Sequence, residues 1–154
     1  MIFDYNEEEK KKREEQKQEI YLTALALIDI PYKFGAEVDI ETKPKNITGI
    51  DCSELVEYCF RRAGIYIPDG AENQWKFSIH IFPKEVDLCD LAFKHDRDTK
   101  KIDHVALCIS HDEVIEAEAW YGRVVRRSID KFMNPSPKAK GQFDSFRRLA
   151  YFTK

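Results

Sequence analysis

At 154 residues and 43% hydrophobic content, the chain has the size of one globular domain and can bury a core without disulfide or metal staples. Its charged residues make up 34% but nearly cancel, to a net charge of −3, which argues against nucleic acid as a partner because such binders carry a basic excess. No run is apolar enough to span a bilayer, and Met1–Tyr5 leads into charge rather than into a secretory leader, so the expected location is the cytoplasm, or a phage particle or other export route.

Residues 7–19 are charge-rich, lack Gly and Pro, and lead into Ile20-Tyr21-Leu22-Thr23-Ala24-Leu25-Ala26-Leu27-Ile28. This pattern predicts one long helix, solvated at its start, buried at its end and stopped by Pro31. Residues 1–20 are read as a charged helical extension, either a solvated face or a partner-binding arm, and residues 21–154 as the main domain.

The stretch from Tyr32 to Ile50, with Gly35, Pro44, Asn46 and Gly49, reads as loop. Apolar residues then fall at Cys52, Leu55, Val56, Cys59, Phe60 and Ala63, the spacing of one helical face, with Asp51 placed to cap its start and Gly64 its end.

The second half changes period. Residues 91–93, 104–109, 113–117, 123–127 and 146–152 read as short strands, with turns at Ser110–Glu113 and Trp120–Gly122. Helices followed by antiparallel strands predict an α+β domain.

Four cysteines, Cys52, Cys59, Cys89 and Cys108, are too sparse for a disulfide scaffold, and the last three sit in apolar surroundings. Cys52 differs, because it follows the cap Asp51 in the first turn of its helix. Free backbone N–H groups and the helix dipole there favour a thiolate, although the position equally suits a core cysteine.

His104 opens the strand-like run Val105-Ala106-Leu107-Cys108-Ile109 and is placed to take a proton from a nearby thiol. Glu116 falls on the next strand, near the level of His104, as either an orienting carboxylate or a surface residue. His80, His95 and His111 lie in exposed-looking segments and receive no role. Zinc sites need close ligand pairs, whereas Cys52 and Cys59 are seven apart and Cys108 with His111 has no matching second pair; neither metal nor cofactor is expected.

Several stretches together resemble the NlpC/p60 family of cell-wall cysteine peptidases. Gly49-Ile50-Asp51-Cys52-Ser53-Glu54-Leu55-Val56 is similar to that family's Asp-Cys-Ser-Gly-Leu-Val segment, and Pro31-Tyr32-Lys33-Phe34-Gly35-Ala36 to its Pro-Tyr-x-Trp-Gly-Gly. Ile67-Pro68 with Gln74 resembles its Leu-Pro…Gln stretch, Cys89-Asp90-Leu91-Ala92-Phe93 its Gly-Asp-Leu-x-Phe strand, and His104-Val105-Ala106-Leu107-Cys108-Ile109 its His-Val-Gly-Ile-Tyr-Leu strand. The family's third polar residue follows its histidine by twelve, which here is Glu116 (116 − 104 = 12). The chain departs from the pattern at Ala36, Glu54, Asp69 and Cys89, and at Glu116, where the family carries His, Asn or Gln.

The resemblance implies a papain-like fold, with the cysteine helix packed on an antiparallel sheet of about five strands. It also implies metal-independent cleavage of an amide bond, in peptidoglycan stem peptides or related peptides, through a Cys52-His104-Glu116 triad and a thioester. Tyr32, Ser53 and Gln74 are implied as oxyanion or substrate-binding residues. Two alternatives stand beside this expectation: a catalytically silent module that binds peptides or a partner, and an amidase acting on a cytoplasmic substrate outside the wall.

Overall fold

The computed structural model describes residues 5–153; Lys154 and the first four residues of the expected extension lie outside it. Helix α1 spans Tyr5–Ala26 and runs without a break through position 20. Its inward stripe is Gln16, Ile20 and Ala24, one residue every four, while the Glu/Lys-rich remainder faces solvent. Gln16 docks the helix by donating to Ala63 O at 2.9 Å and accepting from the Tyr151 hydroxyl at 2.6 Å. The helix ends before the expected Pro31, in a turn where Asp29 takes φ +77°. Among the described residues no helix is long and apolar enough to cross a membrane.

Helix α2, Cys52–Arg62, forms where the apolar spacing predicts it. Asp51 caps it by accepting from Glu54 N at 2.9 Å, and Gly64 closes it at φ +82°, a left-handed conformation that glycine adopts without strain. Two short helices lacked a sequence signal: α3, Ala71–Phe77, and α4, Ile129–Met133, which Ser128 caps by accepting from Lys131 N.

The sheet has six antiparallel strands rather than about five: β1 (Ser78–Ile81), β2 (Leu91–Asp96), β3 (Ile102–Cys108), β4 (Glu113–Glu118), β5 (Arg123–Ser128) and β6 (Gly141–Leu149). Their order is β1-β6-β2-β3-β4-β5. β1 is the additional strand, four residues at the edge paired with the end of β6. β6 begins five residues before the expected position 146 and gives way to a 3-10 turn at Ala150.

Alternation along the strands divides the apolar residues between two faces. One face, including Leu91, Phe93, Val105, Leu107, Ile115 and Ala117, packs with α1 and α2 around Ile20, Leu55, Tyr58 and Phe60. The other, including Ala92, Ala106, Cys108 and Val114, packs with Ile129 and Phe132 of α4. α2 contacts both β3 and β4, so the helix that starts at Cys52 lies against the hairpin that carries His104 and Glu116.

Candidate active site

Cys52 occupies the first position of α2 and is half-buried at the floor of a cleft of about 380 Å³. Tyr32, Phe34, Asp51, Ser53 and Asp103 are among the residues that line it. Asp51 does more than cap the helix: its second oxygen accepts from Gly35 N at 3.0 Å, holding the 31–36 loop beside the thiol. Tyr32 is fixed from both sides, by its own N–H on Gly122 O at 2.9 Å and by a backbone bridge to Ile50. Burial, and then the negative charges of Cys52, Asp51 and Glu118, push its phenol up, so the hydroxyl keeps its proton and can donate.

His104 lies near the start of β3, almost buried, with its ring stacked 6.1 Å from that of Phe132. Its Nε2 meets Glu116 Oε1 at 2.8 Å. That leaves Nδ1 for Cys52, whose thiol is among the groups that act on the ring. Burial disfavours a charged imidazole, but the bonds to Cys52 and Glu116 and their negative charges outweigh it and push His104 up to about 10. Glu116 itself is fully buried. Burial raises it, yet His104, Arg127 and Lys94 together hold it below the ordinary carboxylate range.

The expected sites therefore fall out unevenly. Cys52, His104 and Glu116 converge, with Tyr32 beside them. The Ser53 hydroxyl faces Asp51 Oδ1 at 3.4 Å on the cleft wall. Gln74 is fully buried, and its amide donates to Ser53 O and Pro68 O at 3.1 Å each, so it braces the segment beside Cys52. Burial makes inert thiols of the other three cysteines, raising Cys59, Cys89 and Cys108 far above the ordinary range.

Three neighbours had not been singled out from sequence. Arg127 reaches Glu116 Oε2 at 3.0 Å and Glu118 Oε2 at 4.0 Å, and Lys94 lies buried with its ammonium 4.5 Å from the Phe132 ring. The available signal was parity: Arg127 pairs with Val114, so it shares a face with Glu116 across the β4–β5 hairpin.

Two groups among the described residues bring three ligand-type atoms within 4.8 Å of one another: His104 with Glu116 and Glu118, and Glu54 with Glu57 and Asp69. The second unites two departures from the family pattern, Glu54 and Asp69, in an acidic recess beside the cleft. Its centre, Glu57, is pushed up to about 9 by burial first, then by Asp69 and Glu54, with Arg61 opposing.

A model described as NlpC/P60 family matches residues 29–137. The chain is 32% identical over 91 residues to the gamma-DL-glutamyl hydrolase of Bacillus subtilis (strain 168), covering 58% of this chain and 20% of that protein. It is 31% identical over 86 residues to the peptidoglycan endopeptidase RipB of Mycobacterium tuberculosis, covering 56% of this chain and 34% of RipB. The matched region thus spans a fifth to a third of these curated relatives. Among solved structures, the fold matches that of RipD of M. tuberculosis, described as a non-catalytic NlpC/p60 domain protein adapted to peptidoglycan binding, with a TM-score of 0.67 at 16% identity over 88% of this chain and 97% of the solved chain.

Proposed function

The chain belongs to the NlpC/P60 family, with its papain-like α+β fold, and from that premise we propose that it is a cysteine amidohydrolase acting on peptidoglycan stem peptides or closely related peptides. The observation that supports this reading is the placement of Cys52, at the start of α2 in the cleft, against His104, whose other ring nitrogen is held by buried Glu116 at 2.8 Å and whose imidazole is pushed up to about 10. A core cysteine at the start of α2 would need no such partner.

The proposed chemistry follows from that arrangement. The Cys52 thiolate attacks the amide carbonyl, and charge moves to the carbonyl oxygen, where the Cys52 N–H and the Tyr32 hydroxyl donate. The tetrahedral intermediate collapses as His104 gives its proton to the departing nitrogen, releasing an amine and leaving a thioester on Cys52. Neutral His104 then takes a proton from water, hydroxide adds to the thioester, and collapse expels the thiolate with a carboxylic acid. Glu116 keeps the ring in the tautomer that serves Nδ1 and stabilises its charged state.

The test is incubation with purified wall fragments, counting new amines and identifying products by mass spectrometry, with the Cys52→Ala variant alongside. Amine release by the wild type alone is expected. Equal fragment binding by both proteins with no release would favour a peptide-binding module, the role described for RipD. Release from cytoplasmic amides but from no wall fragment would move the substrate outside the wall.

A further inference from the structure

Glu116 and Glu118 are two apart on β4 and project from the same face, toward His104. One imidazole nitrogen and two carboxylate oxygens within 4.8 Å of one another make a donor set that divalent transition metals accept. A cation already holds this place. Arg127, paired with Val114 one step along the hairpin, crosses diagonally to put Nη1 3.0 Å from Glu116 Oε2 and 4.0 Å from Glu118 Oε2. Its guanidinium lies 5.2 Å from the Tyr121 ring and its side chain is 17% exposed. A guanidinium stays protonated at every working pH, so this charge cannot be titrated away.

The two Glu116 oxygens are then fully committed, Oε1 to His104 and Oε2 to Arg127. A carboxylate held at one oxygen can swing about its terminal torsion, whereas one held at both cannot. We propose that Arg127 is a positioning residue that locks Glu116 onto His104 and, by filling the space between Glu116 and Glu118, keeps divalent metal off the imidazole the reaction uses. The inference rests on the triad reading above, and it also accounts for how a carboxylate serves where the family pattern has His, Asn or Gln.

The experiment uses the full chain with Arg127→Met, Arg127→Gln as a second neutral variant in case the first fails to fold, and Arg127→Lys as the conservative one. Mn²⁺ is titrated and the free ion followed by electron paramagnetic resonance, in a Cys52→Ala background so that no thiolate ligates. The neutral variants are expected to gain one Mn²⁺ site, at least about tenfold tighter than any bound by Cys52→Ala or by its Arg127→Lys version. Adding Glu116→Gln should abolish the gain, which separates it from the Glu54–Glu57–Asp69 recess. In parallel, iodoacetamide alkylation of Cys52 should slow roughly tenfold in the neutral variants and recover to within about threefold with lysine, as expected for loss and partial return of one charge-assisted bond. No added Mn²⁺ site, or alkylation unchanged in both neutral variants while His104→Ala slows it, overturns the inference. Alkylation unchanged even in His104→Ala would instead overturn the triad on which it rests.

Discussion

Replacing Glu116 with Gln keeps the shape of the side chain and one acceptor for His104 Nε2 but removes the charge. In the wild type that charge sits at zero exposure, 2.8 Å from the imidazole, so little water screens it. A hydrogen bond to a charged partner contributes about 1.5–3 kcal/mol, and about 1.36 kcal/mol corresponds to one pH unit, so His104 should fall by roughly one to two pH units. From a starting point of about 10 the variant should titrate one to two pH units lower, with the bond to Cys52 supplying what remains. Nuclear magnetic resonance of ring-labelled histidine between pH 5 and 11, with the His104 signal assigned from a His104→Ala spectrum, reads this directly. The raised value also fixes the sign of the stability effect. His104 contributes fully below about 6.5, and that contribution fades as pH rises through about 10; Glu116, lowered, contributes above the carboxylate range and loses it as pH falls. Wild type should therefore lose more stability than Glu116→Gln between neutral and strongly alkaline pH. Identical His104 titration in the two proteins would refute the argument that Glu116 holds the proton on the ring.

Tyr32→Phe should lower the turnover of an amide substrate by about a hundredfold while leaving iodoacetamide alkylation of Cys52 unchanged, because alkylation develops no oxyanion; equal losses in both assays would mean that the loop has moved. Gln74→Leu strips the carbonyls of Ser53 and Pro68 of their buried donor and should cost about 1–3 kcal/mol in urea unfolding, with an unshifted midpoint counting against the bracing role. Glu57 is raised to about 9, so its neutral form favours folding, and that contribution is lost as pH climbs from the ordinary carboxylate range through about 9. Arg61 Nη2 lies 3.0 Å from its Oε1 but donates to Ile67 O, and so offsets only part of this. Glu57→Gln should match wild type near pH 4.5 and exceed it by about 1–2 kcal/mol near pH 9 in thermal unfolding; parallel pH profiles would contradict a buried neutral carboxyl.

What could be read in advance followed from strong local signals. The cap-and-stripe pattern at Asp51–Ala63 placed α2 within a residue of its observed end, because capping and burial act over one turn. Cys52, His104 and Glu116 were visible through motif order and the twelve-residue interval, which a tight hairpin preserves. β1 was not, since four edge residues with two exposed between two buried carry little alternation. Arg127 sat in Arg126-Arg127, which reads as solvated charge until the pairing register decides which of the two turns inward. The burial of Gln74 was not legible either, because a motif position does not say whether a side chain is exposed or buried. Cys89 shows the converse: its backbone has φ +75°, the left-handed region that the family's glycine enters freely, so this chain keeps the turn at a cost and fills the space with a buried thiol.

Asp51 touches no atom that reacts in the proposed mechanism, yet a mutational survey scored on turnover should rank it beside Cys52. One of its oxygens fastens the helix that presents Cys52, and the other fastens the loop that presents Tyr32. The proposed attacking sulfur and the proposed oxyanion donor thus share a single fixed hinge pin, and neither wall of the cleft can be re-aimed alone. Asparagine there would retain an acceptor for Glu54 N but offer an amine to Gly35 N, keeping the helix and releasing the loop. A family member that widened its cleft for a bulkier substrate would be expected to change this residue and the loop together, as one step.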